Sequence, residues 1–215
     1  MTLKKKKELA LRIVERLKEI YPDAPCALEY EGDPWRLLVM GRLSAQCTDK
    51  RVNIVCRELF SEFPTAKSMA DGPIERIEEI IKPCGLYRMK ARNIKDASAM
   101  LVSNFGGELP SDMDSLLTLP GVGRKIANLL IGDIFGGEAI VADTHCIRIS
   151  SRLGLTPGIT DPTRVEMELR KLIPGDEGSD FCHRIVIFGR EVCSARAPGC
   201  QDCPLSDLCV GGVGE

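Results

Sequence analysis

Leu119-Pro120-Gly121-Val122-Gly123-Arg124-Lys125 is the stretch on which the reading of this chain turns. Pro120 and the two glycines end one helical stretch (Met113, Leu116, Leu117) and turn tightly into another (Ile126, Ala127, Leu129, Leu130, Ile134). The pattern predicts helix, hairpin, helix. Glycines without side chains let the amides of the turn approach a ligand closely. The amides that open the second helix lack intrahelical acceptors and carry the positive end of its dipole. Gly121, Val122 and Gly123, with Arg124 beside them, are therefore expected to grip a phosphate. An ordinary glycine turn between helices has the same local pattern, and Gly-x-Gly alone does not separate the two.

Outward from that turn, helical periodicity runs through nearly the whole chain. Leu9, Ala10, Ile13, Val14, Leu17 and Ile20 form a first stripe, ended by Pro22 and Pro25. Asp33-Pro34 supplies an N-cap and a first-turn proline for a helix through Leu43, and a further stripe follows in Val52, Val55, Cys56, Leu59 and Phe60. Both read as amphipathic. Gly72-Pro73 opens another helix, closed by Pro83 and Gly85, and a longer one is expected from about Arg88 to Phe105. Ser111, Asp143, Asp161 and Ser179 read as caps of later helices, the last three running through Leu153, Ile173 and Glu191. About ten helices and no strand-length alternation make the expected fold all-α, with Gly136-Gly137 as the best internal boundary.

The 215 residues, 44% of them hydrophobic, suffice for one substantial core or two small ones. No apolar run approaches the ~18 residues of a membrane span. The start at Lys4–Lys7 leads into an amphipathic helix and not a signal-peptide core. A cytoplasmic protein is expected. A net charge of −2 and a pI near 5.9 are not the basic balance of a nucleic-acid binder, so local patches would have to carry such a contact. The candidates are Arg88, Lys90, Arg92 and Lys95, then Arg124 and Lys125, then Arg190 and Arg196.

Ten cysteines fall into two populations. Cys26, Cys47, Cys56, Cys84, Cys146 and Cys182 are scattered and read as small buried hydrophobes. Cys193, Cys200, Cys203 and Cys209 crowd into one segment with C-x6-C-x2-C-x5-C spacing. A disulfide pair fits poorly with a reducing compartment. Structural zinc usually takes two close pairs, and only Cys200 and Cys203 form one here. The longer gaps suit a loop wrapped around a larger object such as a 4Fe-4S cluster, with zinc as the alternative.

With the hairpin and the cysteine segment together, the chain resembles the endonuclease III family of DNA glycosylases in the helix-hairpin-helix superfamily. The resemblance extends over essentially the whole chain: Leu43-Ser44-Ala45-Gln46, Gly85-Leu86-Tyr87, the opening heptapeptide, Asp143-Thr144-His145 and the four cysteines come in the family's order. It implies that Cys193, Cys200, Cys203 and Cys209 hold a 4Fe-4S cluster. It also implies a barrel of six helices over residues 26–137 carrying the hairpin, and a cluster domain formed by 1–25 and 138–215. Double-stranded damaged DNA would lie across a cleft between two helical lobes, bound by a monomer.

The chemistry implied is excision of oxidised or ring-saturated pyrimidines followed by strand cleavage. Lys125 is the expected nucleophile at the sugar C1′, leaving a Schiff base. The reactive form of a lysine is the neutral amine, which desolvation, an adjacent arginine and a helix N-terminus all favour. Asp143 is both a good N-cap and, by resemblance, the carboxylate that faces the lysine and stabilises the charged sugar. His145 is expected at a phosphate or as an orienter of the same helix end. Gln46 is the implied filler of the gap left by an extruded base, and Leu86 the wedge opposite. Cys47 and Ile126 depart from the residues frequent at those positions in the family, and both changes are small. Little sequence follows Cys209, so the extra domain of related adenine glycosylases is expected to be absent. Two other readings share much of this pattern: a mismatch or uracil glycosylase that keeps the lysine, and a non-catalytic iron-sulfur DNA-binding protein.

Overall fold

The computed structural model describes residues 1–211; residues 212–215 of the expected 138–215 segment lie outside them. Among the described residues there is no strand. The helices in chain order are α1 (Leu3–Ile20), α2 (Pro34–Leu43), α3 (Asp49–Glu62), α4 (Ala66–Asp71), α5 (Ile74–Ile81), α6 (Tyr87–Asn104) and α7 (Met113–Thr118). They continue with α8 (Arg124–Asp133), α9 (Thr144–Arg152), α10 (Pro162–Arg170) and α11 (Gly178–Glu191), with 3-10 turns at Lys82–Cys84 and Gly175–Glu177. The chain divides into two compact units: Ala27–Phe135, and Met1–Cys26 together with the chain from Gly136 onward.

In the unit Ala27–Phe135, α2 is the pivot. The sequence pattern predicts an amphipathic helix, but Trp35, Leu37, Leu38, Val39, Met40 and Leu43 are all buried. The reason is that α3, α6 and α8 all pack against it, and a helix apolar nearly all round is a core helix. Asp33 starts it by accepting the Arg36 amide at 3.1 Å, and Pro34 occupies the first turn, where no donor is missed. Gly41 admits α8 closely: a Cβ there would already lie 3.5 Å from the Ile126 and Leu129 side chains. Each fully buried aliphatic here contributes about 1.5–3 kcal/mol, and Leu37→Ala would remove roughly 2–5 kcal/mol.

The short α4 is not predicted from periodicity. Thr65 and Ser68 build it as a reciprocal capping box, Thr65 Oγ1 accepting from the Ser68 amide at 3.1 Å and Ser68 Oγ from the Thr65 amide at 3.0 Å. Its far end is held by Lys95 of α6, whose ammonium donates to the carbonyls of Ala70 and Gly72.

In the other unit, the α1 stripe Ala10, Ile13, Val14 and Leu17 is buried in one core with Ile149 and Leu153, Val165 and Leu169, and Phe181, Ile185 and Phe188. Leu205 and Leu208, from the cysteine segment, belong to the same core. Polar contacts join α1 to α11: Arg184 Nε donates to the Tyr21 carbonyl at 3.1 Å, and the Tyr21 hydroxyl to Glu191 at 3.0 Å.

Three boundaries differ from the sequence reading. Asp112, not Ser111, caps α7, its carboxylate accepting the Ser115 amide at 2.8 Å. α10 stops at Arg170, short of Ile173, although Leu172 and Ile173 remain buried. Ser179 lies inside the first turn of α11, because the 3-10 turn Gly175–Glu177 runs straight into that helix. Gly178 joins the two where a Cβ would come within 2.3 Å of the Ala139 carbonyl oxygen.

Candidate active site

The hairpin between α7 and α8 closes with the Val122 amide on the Leu119 carbonyl at 3.0 Å. Its two glycines have different physical reasons. Gly121 has φ +79, and a Cβ there would lie 2.7 Å from Arg42 Nε and 2.8 Å from Asn93 Cβ. Those two residues brace the turn from α2 and α6, Arg42 donating through Nε and Nη2 to Asn93 Oδ1 at 3.0 and 2.8 Å. Burial pulls the Arg42 guanidinium below its ordinary pKa. Gly123 has an ordinary φ of −103, and a Cβ there would meet nothing within 4 Å. It is the N-cap of α8 and offers no side-chain acceptor, so no cap side chain occupies the amides of the first turn. Lys125 is the second residue of α8 and is exposed. Its side chain is thus open to solvent, where a ligand seated on the hairpin would cover it.

Gln46 and Leu86 are both exposed, and both hold left-handed backbone, with φ +55 and +49. Among the described residues Glu31 is the other non-glycine residue with positive φ. Each such residue costs roughly 1–2 kcal/mol, and strain of this kind tends to collect at functional sites. The charge patch of α6 is split. Arg88 and Arg92 are exposed, but Lys90 is fully buried, donating to the carbonyls of Leu43 at 2.7 Å and Cys84 at 2.9 Å. Lys90 and Lys95 are therefore not phosphate contacts: each saturates carbonyls at the end of a helix or turn.

In the other unit, Asp143 is half-buried and caps α9, its Oδ1 accepting the Cys146 amide at 2.7 Å. His145 lies two residues on, with Nδ1 3.3 Å from Arg148 Nη2. A Cβ at Gly189 of α11 would fall 2.5 Å from that same nitrogen. Cys193, Cys200, Cys203 and Cys209 all line one cavity of about 190 Å³, and no disulfide joins them. Burial raises the Cys203 thiol, and the other three sulfurs act in the same direction. Two arginines of α9 hold the loop. Arg148 donates to the Cys193 carbonyl at 2.9 Å; Arg152 donates to Cys193 Sγ at 3.3 Å and to the carbonyls of Ser194 and Ala195 at 2.8 and 3.0 Å. Four thiols around one cavity, with a guanidinium on one sulfur, form a donor set suited to an anionic thiolate-bound metal group. Of the scattered cysteines, Cys56, Cys84, Cys146 and Cys182 are buried as expected, whereas Cys26 and Cys47 are only half-buried.

Residues 39–175 match the HhH-GPD superfamily base excision DNA repair protein family. Endonuclease III of Synechocystis sp. is 48% identical over 205 residues, covering 95% of this chain and 93% of that protein. The chain belongs to the endonuclease III family. Two solved structures of that family, a non-covalent endonuclease III–DNA complex and a trapped endonuclease III–DNA covalent intermediate, superpose with TM-scores of 0.91 and 0.90. Each is 42% identical and covers 99% of this chain and 97% of its own. As an endonuclease III family member the chain is a base-excision repair DNA glycosylase and AP lyase. The sequence pattern does not single out the supporting residues Arg42, Asn93, Arg148 and Arg152, and it offers Lys90 as a patch cation where the structure makes it a buried support. Lys90 carries a readable signal, because it stands on the α6 stripe with Ile94, Ala97 and Leu101.

Proposed function

We propose that this endonuclease III family member excises oxidised or ring-saturated pyrimidines from double-stranded DNA as a monomer and then cuts the strand by β-elimination. The observation that carries this reading is the exposed amine of Lys125 directly behind a hairpin whose Gly123 is demanded by neither backbone angle nor protein packing. A glycine with empty space outside it is what a close phosphate requires. DNA seated there covers Lys125 and supplies the desolvation that favours the neutral amine. Nζ then bonds to C1′ as the bond from C1′ to the base breaks, with Asp143 as the carboxylate that takes the amine proton and stabilises positive charge on the sugar. The sugar ring opens to a Schiff base, and loss of a proton from C2′ expels the 3′ phosphate. The trapped covalent DNA intermediate of a relative supports this route.

Gln46 and Leu86 are proposed to enter the duplex beside the extruded base, which accounts for their exposure and left-handed backbone. His145 is proposed as a phosphate contact near Asp143. Cys193, Cys200, Cys203 and Cys209 are proposed to hold a 4Fe-4S cluster, whose role is structural, fixing a loop already anchored by Leu205 and Leu208. Duplexes carrying a single thymine glycol, dihydrouracil, uracil or mismatched thymine test the substrate class. Base release and nicking confined to the ring-saturated pyrimidines are expected. Release confined to uracil or mismatched thymine would contradict it.

A further inference from the structure

Lys90 of α6 is the one fully buried lysine among the described residues, and its ammonium ends on two carbonyls that belong to different turns. One is Leu43, the last residue of α2, three residues before Gln46; the other is Cys84, at the end of a 3-10 turn, two residues before Leu86. Both carbonyls sit at the negative end of their element, where a cation is favoured. Among the described residues no carboxylate pairs with the ammonium; burial pulls it below its ordinary pKa, with the Cys84 and Cys47 thiols acting against that shift and the Arg42 guanidinium along with it. Burying a charge is expensive, and a methionine would fill the same volume without it. The charge is worth keeping where two turns must be held in unfavourable backbone conformations at once.

We infer that Lys90 is a positioning residue that clamps the turns bearing Gln46 and Leu86 to each other, so that both side chains enter the duplex in register as the base is extruded. The inference rests on the proposed insertion of those two residues. It separates the two reactions of the enzyme. A stacked base must be driven out of the helix before it can be released. An abasic site has no base to unstack, so its cleavage depends far less on the clamp.

The test compares Lys90→Met with the parent protein in two single-turnover reactions: base release from a thymine-glycol duplex and nicking of the same duplex with a preformed abasic site. A 2-aminopurine beside the lesion follows extrusion directly, and thermal melting verifies that the variant is folded. Base release and the fluorescence rise are expected to slow about tenfold, with abasic-site nicking changed by no more than about twofold. Lys90→Gln, which keeps donors, should fall between the two. Equal slowing of both reactions would overturn the inference, as would unfolding of both variants, because the clamp must be separable from the fold. Leu86→Ala and Gln46→Ala serve as reference. If they slow extrusion and Lys90→Met does not, the clamp is refuted alone; if they too have no effect, the insertion reading falls and the clamp with it.

Discussion

Gly121→Ala and Gly123→Ala change two glycines of one turn, and the structure gives them opposite consequences. At Gly121 the alanine must hold a left-handed φ of +79 and drive its Cβ into Arg42 and Asn93. The backbone costs about 1–2 kcal/mol, and disruption of the charged Arg42–Asn93 pair about 1.5–3 kcal/mol. A loss of roughly 2.5–5 kcal/mol corresponds to a fall in Tm of about 5–20 °C in a chain of this size. At Gly123 the backbone angle suits alanine and the Cβ points into open space. Tm should hold close to the parent's, since the ~0.4–1 kcal/mol gained by restricting the unfolded chain is offset by alanine being a poorer N-cap than glycine. The same methyl stands where a phosphate would approach, so affinity for abasic-analogue DNA should drop about tenfold. Melting followed by circular dichroism, with DNA anisotropy at one fixed salt concentration, reads both effects. A Gly123→Ala protein that melts as low as Gly121→Ala, or that binds DNA as tightly as the parent, would refute this division of roles.

Arg152→Ala removes the donor to Cys193 Sγ and to the carbonyls of Ser194 and Ala195. Protein purified in air should be brown and contain iron, and the variant should lose iron to a chelator several-fold faster, about 1 kcal/mol of loop stabilisation being gone; colourless protein with stoichiometric zinc would contradict the cluster. Burial, with the hydrogen bond to Glu191 next, pushes the Tyr21 phenol up to about 12. The fold favours its protonated form, so this contribution is complete below the unfolded pKa of ~10 and is lost as pH rises from about 10 through about 12. Tyr21→Phe should flatten the fall of denaturation midpoint over that window, while an unchanged slope would show that Tyr21 is not its source.

The helical fold is legible because apolar periodicity and caps agree locally. Asp33-Pro34, Asp143 and Asp161-Pro162 each begin a helix where the side chain accepts an amide. Where two acceptors adjoin, as at Ser111 and Asp112, composition does not choose between them, and the carboxylate takes the cap. α4 escapes notice because six residues make too short a stripe, and its box closes through Ser68 and not the usual Glu or Gln. The proposed reacting residues Lys125 and Asp143 each stand in a short contiguous motif that the sequence displays, the part of Asp143 coming through the family resemblance. Their supports do not, because Arg42 and Asn93, fifty-one positions apart in sequence, meet only once the helices pack. Charge misleads at Lys90 and Lys95 for the same reason: a lysine reads as solvated until a helix end with free carbonyls is packed against it.

Lys125 is the proposed nucleophile, and trapping of its Schiff base tests that role directly. Borohydride reduction in the presence of abasic-site duplex should convert the parent protein to a covalent DNA adduct, with the crosslinked peptide mapping to Lys125. Lys125→Gln should give no adduct while keeping the parent's melting temperature, since the side chain is exposed and is not part of the core, and it should still bind the duplex, weakened only by the loss of one positive charge. An adduct of undiminished yield on Lys125→Gln, or mapped to another lysine in the parent, would contradict the claim.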